Sequence, residues 1–291
     1  MRYNRVAFAI GAIMAVAISL FSMKSEVGPR CPKGDELTVR LPDPGSGRQY
    51  EIYVSLPADY AKNSNTSYPL VIIADGGRAF PKLKCDARAL ENRKAIRQSI
   101  IVGLSYALGD DLQDSRRRDY TPTALPKGGK LYGGAAAYQR YLREIVLRYV
   151  EDNYRVTSKH RIFWGHSYGG LFGAHILLTE PSLFQTYVLG SPSFWFANEA
   201  IYDLEARYAE TNRQLSATVF LYVGGLETER YDATRKGRTR DMVSGLRKFE
   251  ERLQARGYEG LRISSTVIAG KDHISSVRSG FGWAMKAALP D

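Results

Sequence analysis

Arg161-Ile-Phe-Trp-Gly-His-Ser-Tyr-Gly-Gly170 is the segment around which this chain of 291 residues is organised. Its centre, Gly165-His166-Ser167-Tyr168-Gly169, has the pattern Gly-x-Ser-x-Gly, in which a serine stands on a tight turn between a strand and a helix. Apolar residues at 162–164 predict the strand, and the apolar run at 171–178 predicts the helix. Glycines flank the serine because only residues without a side chain can pass close to such a turn. The segment therefore predicts a nucleophilic serine, Ser167.

Strand-like and helix-like segments alternate from Pro69 onward. Strands are predicted at 69–74, 99–105, 162–164, 184–190, 217–223 and 261–268, and helices at 85–98, 135–154, 171–178, 199–215 and 241–257. Such alternation predicts a mostly parallel central sheet with helices on both faces, which is an α/β fold. Two alternating segments at 36–41 and 49–56 predict a hairpin before it. Residues 106–132 show no periodicity and are predicted to form a long loop.

The first 24 residues have the pattern of an export signal. Arg2 and Arg5 precede an uncharged, mostly apolar run at 6–21, which suits a signal peptide and is short for a membrane span. No Ala-x-Ala cleavage site follows, so a cleaved signal peptide and an N-terminal membrane anchor both stay open. In either case residues 25–291 are expected to form one exported domain, which in a bacterium means the periplasm.

The chain has two cysteines, Cys31 and Cys85, and both fall in the exported part. An oxidising compartment permits a disulfide between them, although the sequence does not show whether their geometry allows it. Neither cysteine has the neighbours of a metal or catalytic site. No metal-ligand spacing and no glycine-rich phosphate loop is recognisable elsewhere, so the chemistry is predicted to need no cofactor.

Positive charge favours anionic partners, because 41 basic residues against 30 acidic ones give a formal net charge of +11. No nucleic-acid motif accompanies the charge, so a small anionic molecule is the predicted partner. Arg116 and Arg118 follow a predicted strand at the edge where α/β sheets place ligands. They are predicted, with Arg78, to bind the anion. Trp195, in an aromatic cluster at the end of a predicted strand, is predicted to line the pocket, with plain packing as the alternative. A plain solvated surface is the alternative for the arginines.

A serine hydroxyl becomes a useful nucleophile when a histidine takes its proton, and a carboxylate orients that histidine. Among the four histidines, His273 stands in the loop after the last predicted strand. Folds with this serine turn supply the base from that final loop, in the chain order serine, acid, histidine. His273 is therefore the predicted base. His160 is predicted at the surface and His175 in helix packing, and His166 neighbours the serine in sequence with its side chain predicted to point in another direction.

The acid is expected after the strand at 217–223, where the chain reads Gly224-Gly-Leu-Glu-Thr-Glu229. Glu227 lies closer to the end of the strand and is the preferred acid. Glu229 remains an alternative, followed by Asp232. Asp272 is too near His273 in sequence to orient its ring easily.

An oxyanion hole needs two backbone amides close to the serine. In this type of fold one comes from the loop after the third strand and the other from the residue after the nucleophile. Gly77, in Asp75-Gly76-Gly77, and Tyr168 are the predicted donors. A plain turn is the alternative for the glycines.

With these residues placed, the chain resembles the α/β-hydrolases, in the branch that includes esterase D and enterochelin-esterase-like proteins. It is most similar there to the bacterial periplasmic hydrolases of siderophore esters. The resemblance runs from about Leu37 to the C-terminus and is carried by Ala74-Asp-Gly-Gly77, Arg118-Asp-Tyr-Thr-Pro122, Gly165-His-Ser-Tyr-Gly-Gly-Leu171, Ser191-Pro-Ser-Phe-Trp195, Val223-Gly-Gly-Leu-Glu227 and Asp272-His273.

This resemblance implies an α/β-hydrolase fold and a serine carboxylic-ester hydrolase that works through an acyl-enzyme. It also implies a substrate, a catecholate trilactone siderophore, and hence a role in iron acquisition. A general carboxylesterase or an acyltransferase of the same fold is the first alternative. A non-catalytic binding protein on a hydrolase scaffold is the second. The oligomeric state is not readable from the sequence.

Overall fold

An eight-stranded sheet is the centre of this computed structural model, which describes residues 36–125, 131–232, 237–238 and 240–291. Its strands are β1 (Glu36–Pro42), β2 (Gln49–Ser55), β3 (Tyr68–Ile73), β4 (Ile100–Leu104), β5 (Val156–His166), β6 (Thr186–Gly190), β7 (Gln214–Gly224) and β10 (Glu259–Ile268). A separate two-stranded ribbon is formed by β8 (Tyr231–Asp232) and β9 (Gly237–Arg238). The sheet order is β1-β2-β4-β3-β5-β6-β7-β10. β2 is antiparallel to β1 and β4, and the remaining sheet pairs are parallel. The predicted α/β class is confirmed.

Helices cover both faces of the sheet. They are α1 (Gly76–Asn92), α2 (Leu112–Tyr120), α3 (Ala135–Tyr141), a π-helical segment (Leu142–Leu147), α4 (Arg148–Asn153), α5 (Tyr168–Leu177), α6 (Phe196–Thr211), α7 (Met242–Arg256) and α8 (Ser276–Ala288). α1 and α8 pack on one face, and α2 to α7 pack on the other. β3 is buried along its whole length because its side chains point alternately to the two faces of the sheet, each of which is covered by helices. Leu70 and Ile72 pack in one hydrophobic layer, and Val71 and Ile73 pack in the other.

α2 lies within the predicted loop at 106–132, so that prediction was wrong for residues 112–120. Its sequence lacks apolar periodicity because its buried face is largely polar: Ser115 and Asp119 are buried beside Tyr120. The Asp111 carboxylate caps the helix by accepting from the amides of Gln113 and Asp114. Hydrogen bonds, rather than an apolar stripe, therefore stabilise this helix.

α1 begins at Gly76, nine residues before the predicted start at Cys85. Two glycines and Pro81 in its first turns are typical of a loop in sequence. The structure needs Gly76 for a different reason, since a Cβ there would lie 2.6 Å from the backbone of Gly103 on β4. The helix thus starts directly at the carboxyl end of β3, at the edge where the site is predicted. α8, which follows His273, was not predicted.

The predicted export signal at 1–24 lies outside the described residues. Cys85 is disulfide-bonded, and Cys31, the other cysteine of the chain, also lies outside them. Within the described ranges, none of the helices combines the length and apolarity needed to cross a membrane.

Candidate active site

Ser167 stands between β5 and α5 in a strained backbone conformation, with φ 59° and ψ −118°. The turn is tight enough that a Cβ on Gly165 would lie 2.1 Å from the Gly169 carbonyl oxygen. Gly169 passes close to the end of β3, where a Cβ would lie 3.2 Å from that of Ala74. The sequence thus builds a turn that presents the Ser167 hydroxyl at the carboxyl edge of the sheet.

His273 and Glu227 are brought together by the loops that follow β10 and β7, which are parallel neighbours. His273 Nδ1 lies 2.6 Å from Glu227 Oε2. The loops meet closely at Gly224, where a Cβ would lie 2.4 Å from the Lys271 carbonyl oxygen. A glycine at this position is therefore a condition for the contact between histidine and acid.

Both carboxylate oxygens of Glu227 are engaged. Oε2 contacts His273, and Oε1 accepts from the Ser191 hydroxyl at 2.6 Å and from the Gly224 amide at 2.8 Å. The Glu227 side chain is 5% exposed and that of His273 is 39% exposed. A fixed, buried carboxylate beside a more open imidazole is suited to orienting a base that must reach substrate.

The other acidic residues considered from the sequence are placed differently. Glu229 is exposed, and nothing is described of the Asp232 side chain. Asp272 accepts from the backbone of Ile274 and from Ser275, whose hydrogen bonds lower the pKa of Asp272 below its usual range. Asp272 therefore shapes the turn that leads into α8, and the contact with the His273 ring falls to Glu227.

Ser167 and His273 line the same two cavities without a direct hydrogen bond between them in the described part of the chain. The Ser167 hydroxyl lies 3.3 Å from Ser193 Oγ instead. Such contacts commonly tighten only when substrate binds. Because Nδ1 of His273 is held by Glu227, its Nε2 is the nitrogen left for the serine.

The predicted oxyanion donors lie at the start of two neighbouring helices. Tyr168 is the first residue of α5 and Gly77 the second of α1. Amides in a first helical turn have no partner within their helix. β3 and β5 are adjacent parallel strands, so both helix starts lie at the same edge of the sheet. Their role as oxyanion donors remains a prediction.

Two cavities open on either side of the serine and share Ser167, His273 and Ile274. One, of about 490 Å³, is lined by four basic residues, Arg78, Lys82, Arg116 and Arg278, and by one acidic residue, Asp75. The other, of about 410 Å³, contains Trp195, Arg230 and Arg240. The Arg240 guanidinium lies 3.6 Å from the centre of the Trp195 ring. Positive charge therefore borders both sides of the candidate nucleophile.

Of the four residues predicted to bind substrate, three line a cavity next to Ser167 and one, Arg118, does not. Arg78 is exposed and lines the first cavity, and Trp195 lines the second. Arg118 lines neither, because its guanidinium pairs with Asp110 and Asp119 within the α2 region. For Arg118, a structural ion pair replaces the predicted contact with substrate. Arg230 and Arg240 were not singled out, since isolated arginines in a loop give no sequence signal.

Arg116 reaches the first cavity but is held by a buried ion pair. Its Nε and one terminal nitrogen lie 2.6 and 3.0 Å from the two oxygens of Asp75, and the same nitrogen donates to the His166 carbonyl at 3.1 Å. The paired side chains are 12% and 10% exposed. Arg116 thus ties α2 to the ends of β3 and β5, a role that the sequence did not indicate.

Replacing Arg116 by alanine is expected to lower the free energy of unfolding by about 3 kcal/mol, because the buried Asp75 carboxylate loses its cationic partner and keeps only the Tyr106 hydroxyl as a donor among the described side chains. Arg117→Ala is the matched control, since Arg117 pairs with Asp114 at a half-exposed site and should change stability by less than about 1 kcal/mol. Urea unfolding of both variants measures the difference. Equal stabilities of the two variants would contradict this structural role.

His175 on α5 is buried, and neither of its ring nitrogens has a hydrogen-bond partner among the described residues. Burial lowers the pKa of His175 to about 4. The folded protein therefore keeps this imidazole neutral, whereas the unfolded chain takes up a proton from about pH 6.5 downward.

Stability should consequently fall as the pH drops from about 6.5 to about 4, and His175 should account for about 3 kcal/mol of that loss. His175→Leu should reduce this pH dependence, because a leucine takes up no proton on unfolding. His160→Leu, at an exposed position, should leave it unchanged. Urea midpoints measured at several pH values test this, and parallel pH curves for wild type and His175→Leu would contradict it.

The chain is similar to known proteins over most of its length. A family model described as "Putative esterase" matches residues 44–272. The ferri-bacillibactin esterase BesA of Bacillus subtilis is 28% identical over 258 residues, covering 84% of this chain and 86% of that protein. The siderophore enterobactin esterase of Emericella nidulans is 31% identical over 169 residues, covering 52% and 56%. In a solved structure, the siderophore hydrolase EstB of Aspergillus nidulans is 25% identical, with a TM-score of 0.74 over 88% of this chain and 96% of that one.

Proposed function

The chain belongs to the esterase family whose model it matches, and from this premise we propose that this ester hydrolase cleaves siderophore esters, with catecholate trilactones as the favoured substrates. The observation that carries the proposal is the pair of arginine-bearing cavities that meet at Ser167 and His273. In a trilactone of this kind, catecholate groups stand on both sides of every ester bond. Relatives that are named as siderophore esterases support the same substrate class.

We propose that the reaction passes through an acyl-enzyme on Ser167. Its oxygen attacks the ester carbonyl while His273 Nε2 takes the hydroxyl proton. Glu227 holds the other proton on Nδ1 and stabilises the imidazolium. The amides of Gly77 and Tyr168 donate to the tetrahedral oxyanion.

Collapse of that intermediate breaks the ester C–O bond, and His273 gives its proton to the leaving alcohol. Water then enters, loses a proton to His273 and attacks the acyl carbon. The second tetrahedral intermediate releases the carboxylic acid, and Ser167 recovers its proton from His273. Each proton that His273 accepts is returned in the same half of the reaction.

The proposed substrate is tested by comparing kcat/KM on a catecholate trilactone, free and iron-loaded, with kcat/KM on p-nitrophenyl butyrate. Arg78→Gln and Arg240→Gln should each lower the value for the trilactone about tenfold, at roughly 1.4 kcal/mol per lost contact, and leave the neutral ester nearly unchanged. Arg117→Gln, outside both cavities, is the control. Turnover of p-nitrophenyl butyrate alone would leave a general carboxylesterase, and ester exchange with an added alcohol would indicate an acyltransferase.

We also propose that the protein acts outside the cytoplasm, either free in the periplasm or anchored to the inner membrane by its N-terminal segment. The N-terminal sequence pattern supports export, and the disulfide at Cys85 is typical of an oxidising compartment. Cell fractionation tests export, and mass analysis of the N-terminus shows whether the signal is cleaved or kept as an anchor. Recovery of the full-length chain in the cytosol would contradict export.

A further inference from the structure

His166 is buried against the ring of His273, although it was predicted only as the neighbour of the serine. The two imidazole centroids lie 4.6 Å apart. His166 Nδ1 lies 3.3 Å from the Tyr222 hydroxyl. Its other nitrogen, Nε2, is buried without a hydrogen-bond partner of regular geometry in the described ranges. A buried polar atom without a partner next to a candidate base requires an explanation.

Tyr222 reaches His166 across an intervening strand. In the sheet register Gly190 of β6 pairs with His166 on one side and with Tyr222 on the other. A Cβ on Gly190 would lie 2.1 Å from the Tyr222 ring, and one on Gly280 of α8 would lie 2.2 Å from it. Two glycines on different elements therefore leave the space through which this tyrosine extends to the histidine.

Trp164 completes the row. It is the residue two before His166 on β5 and so points to the same face, where the two rings are stacked at 13° and 6.4 Å. The Trp164 indole nitrogen is also buried without a partner of regular geometry in the described part. Burial holds the pKa of Tyr222 well above its ordinary value, and the Trp164 indole, as a donor, opposes that rise.

Only one assignment of donors and acceptors is consistent for the side chains of Trp164, Tyr222 and His166. An indole N–H can only donate, and the Tyr222 oxygen is the acceptor near it, although the contact falls short of regular geometry. The Tyr222 hydroxyl proton is then left to donate to His166 Nδ1, 3.3 Å away. Burial, with the neighbouring His273, keeps the pKa of His166 well below its ordinary value, so its ring is neutral and carries its one proton on Nε2. The backbone of His273 favours the protonated form of the His166 ring, and Nε2 is the nitrogen left for it because Nδ1 is directed to Tyr222.

We propose that the row Trp164–Tyr222–His166 positions His273, with His166 as the positioning residue that supports its ring and directs Nε2–H to its backbone. This inference rests on the catalytic role of His273 in the proposed function. Glu227 fixes the His273 ring from one side through Nδ1, and His166 fixes it from the sheet side. Held at both places, His273 Nε2 is directed to the Ser167 hydroxyl.

The test uses five variants, one of them double, and p-nitrophenyl butyrate as the substrate. His166→Phe keeps a ring in the row but no nitrogen, and should lower kcat about 10- to 100-fold, because displacing a catalytic group by 1 Å costs up to about 100-fold. His166→Gln keeps an N–H donor near the position of Nε2 and should recover most of that loss. KM should change less than about twofold in both, since His166 lines the first cavity with only 7% of its surface exposed and offers substrate little contact.

Tyr222→Phe removes one oxygen and should lower kcat in the same way. Tyr187→Phe is its matched control, because that buried hydroxyl donates to the Pro181 carbonyl, away from the site. The double variant His166→Phe/Tyr222→Phe should be no slower than His166→Phe alone, within about twofold, because both act through one row.

Activities of His166→Phe and Tyr222→Phe equal to that of Tyr187→Phe would overturn the proposal. So would equal losses in His166→Phe and His166→Gln, since the nitrogen would then be irrelevant. Labelling of the wild type with a fluorophosphonate distinguishes a failure of the proposed function from a failure of the positioning role. An unlabelled Ser167 would refute the proposed function, whereas a labelled Ser167 with fully active His166→Phe would refute only the positioning role.

Discussion

Ser167→Ala is expected to lower kcat/KM for every ester substrate by about 10⁴–10⁶-fold, which is the scale on which loss of a serine nucleophile acts. The variant keeps the turn between β5 and α5, because alanine differs from serine only by the hydroxyl. It should remain folded with nearly unchanged cavities, so substrate should still bind. The measurement is steady-state hydrolysis of both a catecholate trilactone and p-nitrophenyl butyrate.

Ser193→Ala provides the matched comparison for Ser167→Ala. It removes the hydroxyl that lies 3.3 Å from Ser167 Oγ but leaves the proposed nucleophile in place. A fluorophosphonate should therefore label Ser193→Ala and fail to label Ser167→Ala. Loss of labelling in Ser193→Ala, with Ser167→Ala still labelled, would identify Ser193 as the nucleophile and contradict the assignment.

Glu227→Gln is expected to lower kcat by about 10²–10⁴-fold, since an amide in place of the orienting carboxylate favours the wrong imidazole tautomer. The glutamine oxygen can still accept from Ser191 and Gly224, but its NH₂ group cannot accept the His273 Nδ1 proton. KM should change little, because Glu227 is buried behind His273. Steady-state kinetics on p-nitrophenyl butyrate measures the split between kcat and KM.

Glu229→Gln is the natural control for Glu227→Gln, because it makes the same chemical change two residues away at an exposed position. Its kcat should stay within about twofold of wild type. A large loss in Glu229→Gln with an active Glu227→Gln would exchange the two roles. Full activity in both would mean that the acid contributes nothing to catalysis.

The serine turn and its predicted partners were readable from the sequence because their signals are local or ordinal. Gly165 and Gly169 are required by the tight passage around Ser167, and His273 follows from the order of strands. Glu227 could be preferred but not separated from Glu229, since both follow β7. The structure distinguishes them through the close approach of Gly224 to the loop that carries His273.

The parts that could not be predicted depend on contacts between distant segments. Arg116 and Arg118 stand in one basic run, yet Arg116 pairs with Asp75 on another element and Arg118 with Asp110 and Asp119. Nothing in a run of arginines shows which of them faces a cavity. α2 escaped detection for the same reason, because its buried face is polar and is stabilised by hydrogen bonds to other segments.

We propose that Ser167 carries the acyl group of a siderophore ester during turnover. Mass spectrometry of the acid-quenched reaction, with enzyme in excess over a catecholate trilactone, tests it most directly. Opening a lactone ring by acylation expels no fragment, so the peptide containing Ser167 should transiently gain the mass of the whole trilactone. The appearance of linear product, while that peptide stays unmodified at every quench time, would contradict the account.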